Sequence, residues 1–359
     1  MLFTYTYVPH SLEGLQECIK HLVQEVWCKA SGDFDIELLH PELKKIVLEI
    51  FHDDSVTKTK LFEPIKEIFD LFKTLDPEQK SQFQDWCETN NDIEALCKAD
   101  PEKQPVTYSQ ITKLDSNLSR KLKAFFKMLY PDVLNLSAVR REFGSVSDHF
   151  QQFIETNDAE RCPCCGIERL KNQYNKGKRE AYDHFLPKAK YPFNTVNFHN
   201  LAPICHDCNS TYKGTKDPLK RRNSRQYRKS FYIYATNHPD LECSLTLRSN
   251  KISCLKPSEI DLNFSASGYE TEIEAWDDTF NIRERYKAIC CGKNDGKYWL
   301  QQVFDESQKC DASPKEIAKK VHENAKKYPE AEANFLKSPF LKACEEAGLF
   351  RPNSTTNPT

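Results

Sequence analysis

Two Cys-x-x-Cys pairs, Cys162–Cys165 and Cys205–Cys208, constrain this chain more than any other feature. Each turn lets two sulfurs reach one ion, and two such turns complete a tetrahedron. Gly166, directly after the first pair, can relax the tight turn. Four protein ligands leave no open position, so a zinc ion held by them is expected to be structural. The 39 residues from Gly166 to Ile204 are then pinned at both ends. Cys164 is a bystander in this reading, being only two residues from Cys162. A thiol-redox motif, or unrelated buried cysteines, is the competing reading.

The chain has 15 cysteines, an odd count with many isolated members and a poor disulfide framework. No basic-apolar-small leader, apolar run near 18 residues or lipidation pattern is found. The expected setting is a reducing cytoplasm with no membrane partner, where paired cysteines favour metal over disulfide. A net charge of −2 names no partner by itself. Its distribution does: residues 161–230 carry 16 Lys/Arg against 5 Asp/Glu, about +11, leaving about −13 elsewhere. Such a basic island is a candidate anion-binding surface.

A length of 359 residues predicts two or three domains. Residues 1–158 read as a helical domain. Apolar residues recur at three- and four-residue spacing in Leu12, Leu15, Cys18, Ile19 and Leu22. The pattern repeats from Leu38 to Ile50 and from Leu61 to Phe72. Asp76-Pro77-Glu78 reads as a capped helix start, and helices are expected over 116–129 and 146–156. Residues 159–230 are the cysteine-bracketed segment. It should hold a polar loop at 172–178, a short strand over 181–186, an apolar approach at 201–204 and a helix after Cys208. Residues 231–359 read as mixed. Strands are expected at 231–234, 245–247 and 262–264, and helices from about Thr279, from Ser313-Pro314 and over 331–347. The fold class is α+β, mainly α-helical.

Between the thiol pairs lie Asp183-His184 and Asn200, and Asn209 directly follows Cys208. The combination Cys162-Pro163-Cys164-Cys165-Gly166, Asp183-His184-Phe185-Leu186-Pro187, Asn200-Leu201, Cys205-His206-Asp207-Cys208-Asn209 and Lys213 resembles the zinc-braced branch of the HNH (ββα-metal) endonuclease superfamily. The resemblance covers about 55 residues. It implies a central ββα-metal core braced by the four-cysteine zinc site. It makes His184 the general base, and Asp183 and Asn209 the ligands of a catalytic divalent ion, magnesium or another. Asn200 would tie the hairpin loop and orient the base. Many members carry histidine where this chain has Asn209, which favours a magnesium-type site. His199 and His206 flank the motif as supporting or surface residues.

Lys213, Lys216, Lys220, Arg221, Arg222 and Arg225 follow the motif and read as a track for a phosphate backbone, DNA more than RNA. The domain order resembles the Septu-type and retron-associated (PtuB-like) antiviral HNH nucleases. That narrower likeness implies a prokaryotic anti-phage role beside an ABC-type ATPase partner. No Walker-type glycine loop is present, so an ATPase in the same chain is not expected. The alternative function is a zinc-braced nucleic-acid or protein binding module without catalysis.

Overall fold

The computed structural model describes residues 3–52, 57–171, 179–221, 224 and 226–350. Arg222, Arg225 and the loop expected at 172–178 lie outside the described residues. The described chain is mostly helical, with two small antiparallel sheets. It divides into two compact units interleaved in sequence. One comprises residues 4–160 and 170–236, the other 1–3, 161–169 and 237–359. The first thiol pair therefore groups with the carboxy-terminal residues, and the rest of the expected middle segment groups with the amino-terminal helices.

The larger unit contains α1 (Glu13–His21), α2 (Pro41–His52), α3 (Thr57–Phe72), α4 (Pro77–Asn91), α5 (Ile93–Cys97), α6 (Tyr108–Leu114), α7 (Ser116–Leu129), α8 (Ser137–Phe143) and α9 (Val146–Asn157). The expected stripe at Leu38 starts too early. Pro41 opens α2, and Leu38 sits exposed in the preceding 3-10 turn. Proline suits the first helical turn because it lacks a donor that would go unused there. α4 opens on a capping box between Asp76 and Gln79, with Pro77 inside the first turn. The apolar stripes meet around Trp27, whose ring packs on Phe72, Phe125 and Phe126 and whose indole N–H donates to the Ile65 carbonyl at 3.1 Å.

A short hairpin shares this core. β1 (Tyr182–His184) pairs antiparallel with β2 (Leu201–Pro203), with Asp183 opposite Ala202 and His184 opposite Leu201. Tyr182, Phe193, Val196, Phe198 and Leu201 join the helical core cluster. Phe193 adopts φ +77°, a costly backbone for a bulky side chain. It is held there from both ends. Its buried ring packs edge-on against Phe126 at 5.2 Å, and its carbonyl accepts from Gln16 Nε2 at 3.2 Å. Asn90 fixes the same loop, donating to the Val106 and Pro192 carbonyls at 3.0 Å. Phe231 to Tyr234, expected as a strand, form none. The segment is buried, with Ile233 O accepting from the Tyr5 amide and the Tyr234 hydroxyl donating to Leu201 O at 2.5 Å. Its aromatic side chains, not a ladder, secure it to β2.

The smaller unit has its own hairpin, β3 (Glu242–Leu247) with β4 (Ile260–Ser265), running in continuous antiparallel register. Around it lie α10 (Glu270–Phe280), α11 (Ile282–Cys290), α12 (Gly296–Cys310), α13 (Pro314–Lys327) and α14 (Asn334–Glu346). Phe264 of β4 packs against Trp276 and Tyr286 at 4.9 and 5.7 Å. Among the described residues, no helix is long and apolar enough to cross a membrane.

Candidate metal centre and hairpin site

Cys162, Cys165, Cys205 and Cys208 are buried, and their sulfurs all lie within 4.8 Å of one another. Sulfurs around one tetrahedral zinc stand about 3.8 Å apart, so this grouping could hold such an ion. None of the four is in a disulfide. The first turn closes through the Gly166 amide, which donates to Cys162 O at 2.7 Å, with Gly166 at φ +65°. Two aromatic residues hold it: Trp276 donates to Cys164 O and Tyr286 to Cys165 O, each at 2.6 Å. Cys164 is thus buried beside the group, not in it. In the second turn the Cys208 amide points at Cys205 Sγ at 3.4 Å, and the Asn209 amide donates to Cys205 O at 3.0 Å. Four thiols and no oxygen donor make a soft ligand set that suits zinc.

The hairpin carries Asp183 and His184. Asn200, just before β2, is 1% exposed and clasps the connecting loop. Its Oδ1 accepts from the Leu186 amide at 2.7 Å, and its Nδ2 donates to Leu186 O and Asn194 O at 3.2 and 3.3 Å. Those bonds fix the chain directly after His184. His184 Nε2 then meets Thr195 O at 2.9 Å. A carbonyl only accepts, so Nε2 carries the proton and Nδ1 keeps the lone pair. Burial first, then the charge of Lys188, pushes His184 down to about 3. The ring is therefore neutral near pH 7.

Asp183 meets Lys213. The Lys213 ammonium donates to Asp183 Oδ1 at 2.8 Å and to His184 O at 2.7 Å. Burial pushes the Asp183 carboxyl up, and the Lys213 charge opposes that shift. Lys213 ends the π-helical segment Asp207–Lys213 that begins beside Cys205, and Asn209 lies one turn earlier on it. This ion pair joins β1 to the helix that carries the second thiol turn. Asn209 shares only its helical segment with Lys213, and no hydrogen bond joins Asp183 and Asn209 among the described residues.

Lys213, expected on a phosphate track, is buried at 2% exposure. Lys216 and Arg221 are exposed, and half-buried Lys220 lies 3.8 Å over the Tyr227 ring. His199 stacks on Tyr7 at 4.0 Å and bonds Tyr232 OH at 3.0 Å, while His206 is exposed beside Asp207. Two neighbours of His184 were not expected. Tyr130 meets it edge-on at 4.8 Å, and the Lys188 ammonium sits 5.0 Å over the Tyr130 ring. Lys188 was visible as the residue after Pro187. Tyr130 follows α7, where nothing in the sequence separates it from ordinary packing residues.

No protein-family model matches the chain, and no solved structure matches it. Among curated proteins, a stretch of 58 residues is 41% identical to Protein ea31 of Escherichia phage lambda. That stretch is 16% of this chain and 17% of the phage protein, so the two share about a sixth of their lengths.

Proposed function

We propose that this chain is a metal-dependent endonuclease of the HNH type, hydrolysing phosphodiester bonds of nucleic acid, with DNA as the preferred substrate. The single observation that carries the reading is the His184 tautomer: Nε2 is committed to Thr195 O, which leaves the lone pair on Nδ1, in the residue that follows buried Asp183. In this mechanism His184 Nδ1 takes a proton from the attacking water. Asp183, through the oxygen Lys213 does not engage, and the Asn209 side-chain oxygen would hold a hard divalent ion such as magnesium. When bound, that ion supplies charge stabilisation at the phosphate and the departing 3′ oxygen. The four-cysteine zinc would brace Asn209, whose backbone is continuous with Cys208. Asn200 would position the base by closing the loop behind it. A defence role beside an ABC-type ATPase rests on the sequence resemblance alone.

The test is cleavage of plasmid, linear DNA, single strands and RNA, with magnesium and with chelator. Wild type should cut only with the divalent ion. Folded His184→Ala should lose roughly 100-fold or more in rate. Undiminished cutting by that variant would remove His184 as the base.

The Asp183–Lys213 pair favours one second reading, a zinc-braced binding module without catalysis. There the carboxylate is a structural partner of lysine, not a metal ligand. Binding of nucleic acid without cleavage under any divalent ion would select it.

A further inference from the structure

A second convergence of metal-ligating groups lies among the amino-terminal helices. Cys18 is on the buried face of α1, His40 immediately precedes α2, and Glu42 is in the first turn of α2. Cys18 Sγ is 3.3 Å from His40 Nδ1, and the same nitrogen touches a Glu42 carboxylate oxygen. One sulfur, one nitrogen and one oxygen thus lie within 4.8 Å of one another.

Hydrogen bonds alone do not satisfy this cluster. His40 Nδ1 has one valence to spend on two partners. Protonated, it can donate to Glu42, but then it presents no acceptor to the Cys18 thiol. Unprotonated, it can accept from Cys18, but then its lone pair faces those of Glu42. Glu42 Oε2 is buried and has no partner at hydrogen-bond geometry, although it touches the ring. A cation at the meeting point would satisfy all three groups at once. Mixed sulfur, nitrogen and oxygen donors suit zinc, a borderline-soft ion without strong geometric demands.

We infer that Cys18, His40 and Glu42 bind a second zinc ion, separate from the four-cysteine group, with a fourth position left to water. Binding replaces the Cys18 S–H proton, which passes to solvent, while His40 coordinates as neutral imidazole through Nδ1. The ion clips α1 to the start of α2. His21, one turn beyond Cys18, flanks the site with its ring 5.4 Å from that of His40 and its Nε2 anchored on Leu38 O at 3.1 Å. The inference is independent of the nuclease reading, because its readout is metal content and not cleavage.

The test uses the full chain expressed in zinc-supplemented medium, with zinc per chain measured by elemental mass spectrometry. Cys18→Ser, His40→Gln and Glu42→Gln are compared with wild type, each checked for fold by circular dichroism. The folded Cys18 and His40 variants should each hold one zinc fewer than wild type, and the Glu42 variant should release that ion faster to a chelator. Cobalt substitution should give a wild-type spectrum that loses a single-thiolate charge-transfer contribution in Cys18→Ser. Equal zinc content in wild type and the folded variants overturns the site. Should Cys18→Ser fail to fold, His40→Gln and Glu42→Gln decide, since both side chains are partly exposed.

Discussion

A lysine 2% exposed to solvent needs compensation for its lost hydration, and Lys213 finds it in the Asp183 carboxylate and the His184 carbonyl. Removing one partner of such a pair strands the other charge. Lys213→Ala should therefore cost about 3–5 kcal/mol in urea-monitored stability. Replacing both partners with apolar residues, Asp183→Leu with Lys213→Met, should recover most of that loss. Under the nuclease reading the double variant is folded but inactive, which separates the carboxylate's structural work from any catalytic work. Buried His149 invites a second prediction. Its Nε2 bonds Val8 O at 3.2 Å and its Nδ1 accepts from the Tyr182 hydroxyl at the start of β1. Burial pushes His149 down to about 4, against the opposing pull of the Val8 carbonyl. The unfolded chain, titrating near 6.5, binds more protons between those values. Stability from this residue is thus fully present above about pH 6.5 and is lost as pH falls toward 4, by about 3 kcal/mol in all. His149→Phe should flatten that acid slope in melts across pH 4–7; an unchanged slope relative to wild type would refute the assignment.

At the scale of elements, the first thiol turn shows how a motif depends on residues remote in sequence. Tyr286 on α11 donates to Cys165 O and Trp276 on α10 to Cys164 O, so the turn's carbonyls are satisfied from over a hundred residues away. Tyr286→Phe deletes one buried hydrogen bond while keeping the ring against Phe264. It should lower stability by about 1–2 kcal/mol and speed zinc release to a chelator, measured with a colorimetric zinc dye. Zinc release as slow as in wild type would mean the turn does not need that support. The turn itself was readable from Cys162, Cys165 and Gly166, because spacing and a φ > 0 residue are local properties. Helix starts at Asp76-Pro77 and Ser313-Pro314 were readable for the same reason: both form capping boxes within four residues. The strand expected at Phe231–Tyr234 failed because alternating aromatic bulk marks burial, not ladder pairing. Here Tyr232 and Tyr234 spend their hydroxyls on His199 and Leu201 O. The Asn200 clasp was expected by resemblance, but its partners Leu186 and Asn194 depend on a loop path that no local pattern encodes. Lys213 misled in a similar way, since a lysine in a basic run gives no sign that it folds inward onto Asp183.

For the whole molecule, linear reading cut the chain at 158 and 230, whereas packing groups 161–169 with 237–359 and joins 170–236 to the amino-terminal helices. Interleaving of that kind rests on contacts between distant residues, such as Phe193 against Phe126, which periodicity cannot register. Charge distribution, by contrast, is legible without a fold. A segment of about +11 within a chain of net −2 concentrates positive charge in the stretch of sequence that includes His184. Burial separates these cations: Lys213 is withdrawn, while Lys216 and Arg221 are exposed at the surface. If these two contact phosphates, Lys216→Ala and Arg221→Ala should each weaken binding of a labelled DNA duplex at every sequence tried. Each should also lower the slope of log affinity against log salt by about one. Lys320→Ala, on α13 in the other unit, should leave both quantities unchanged. Salt slopes identical across all three variants and wild type would place the nucleic-acid surface elsewhere, since counterion release counts the phosphates a protein neutralises and is indifferent to how it reads the bases.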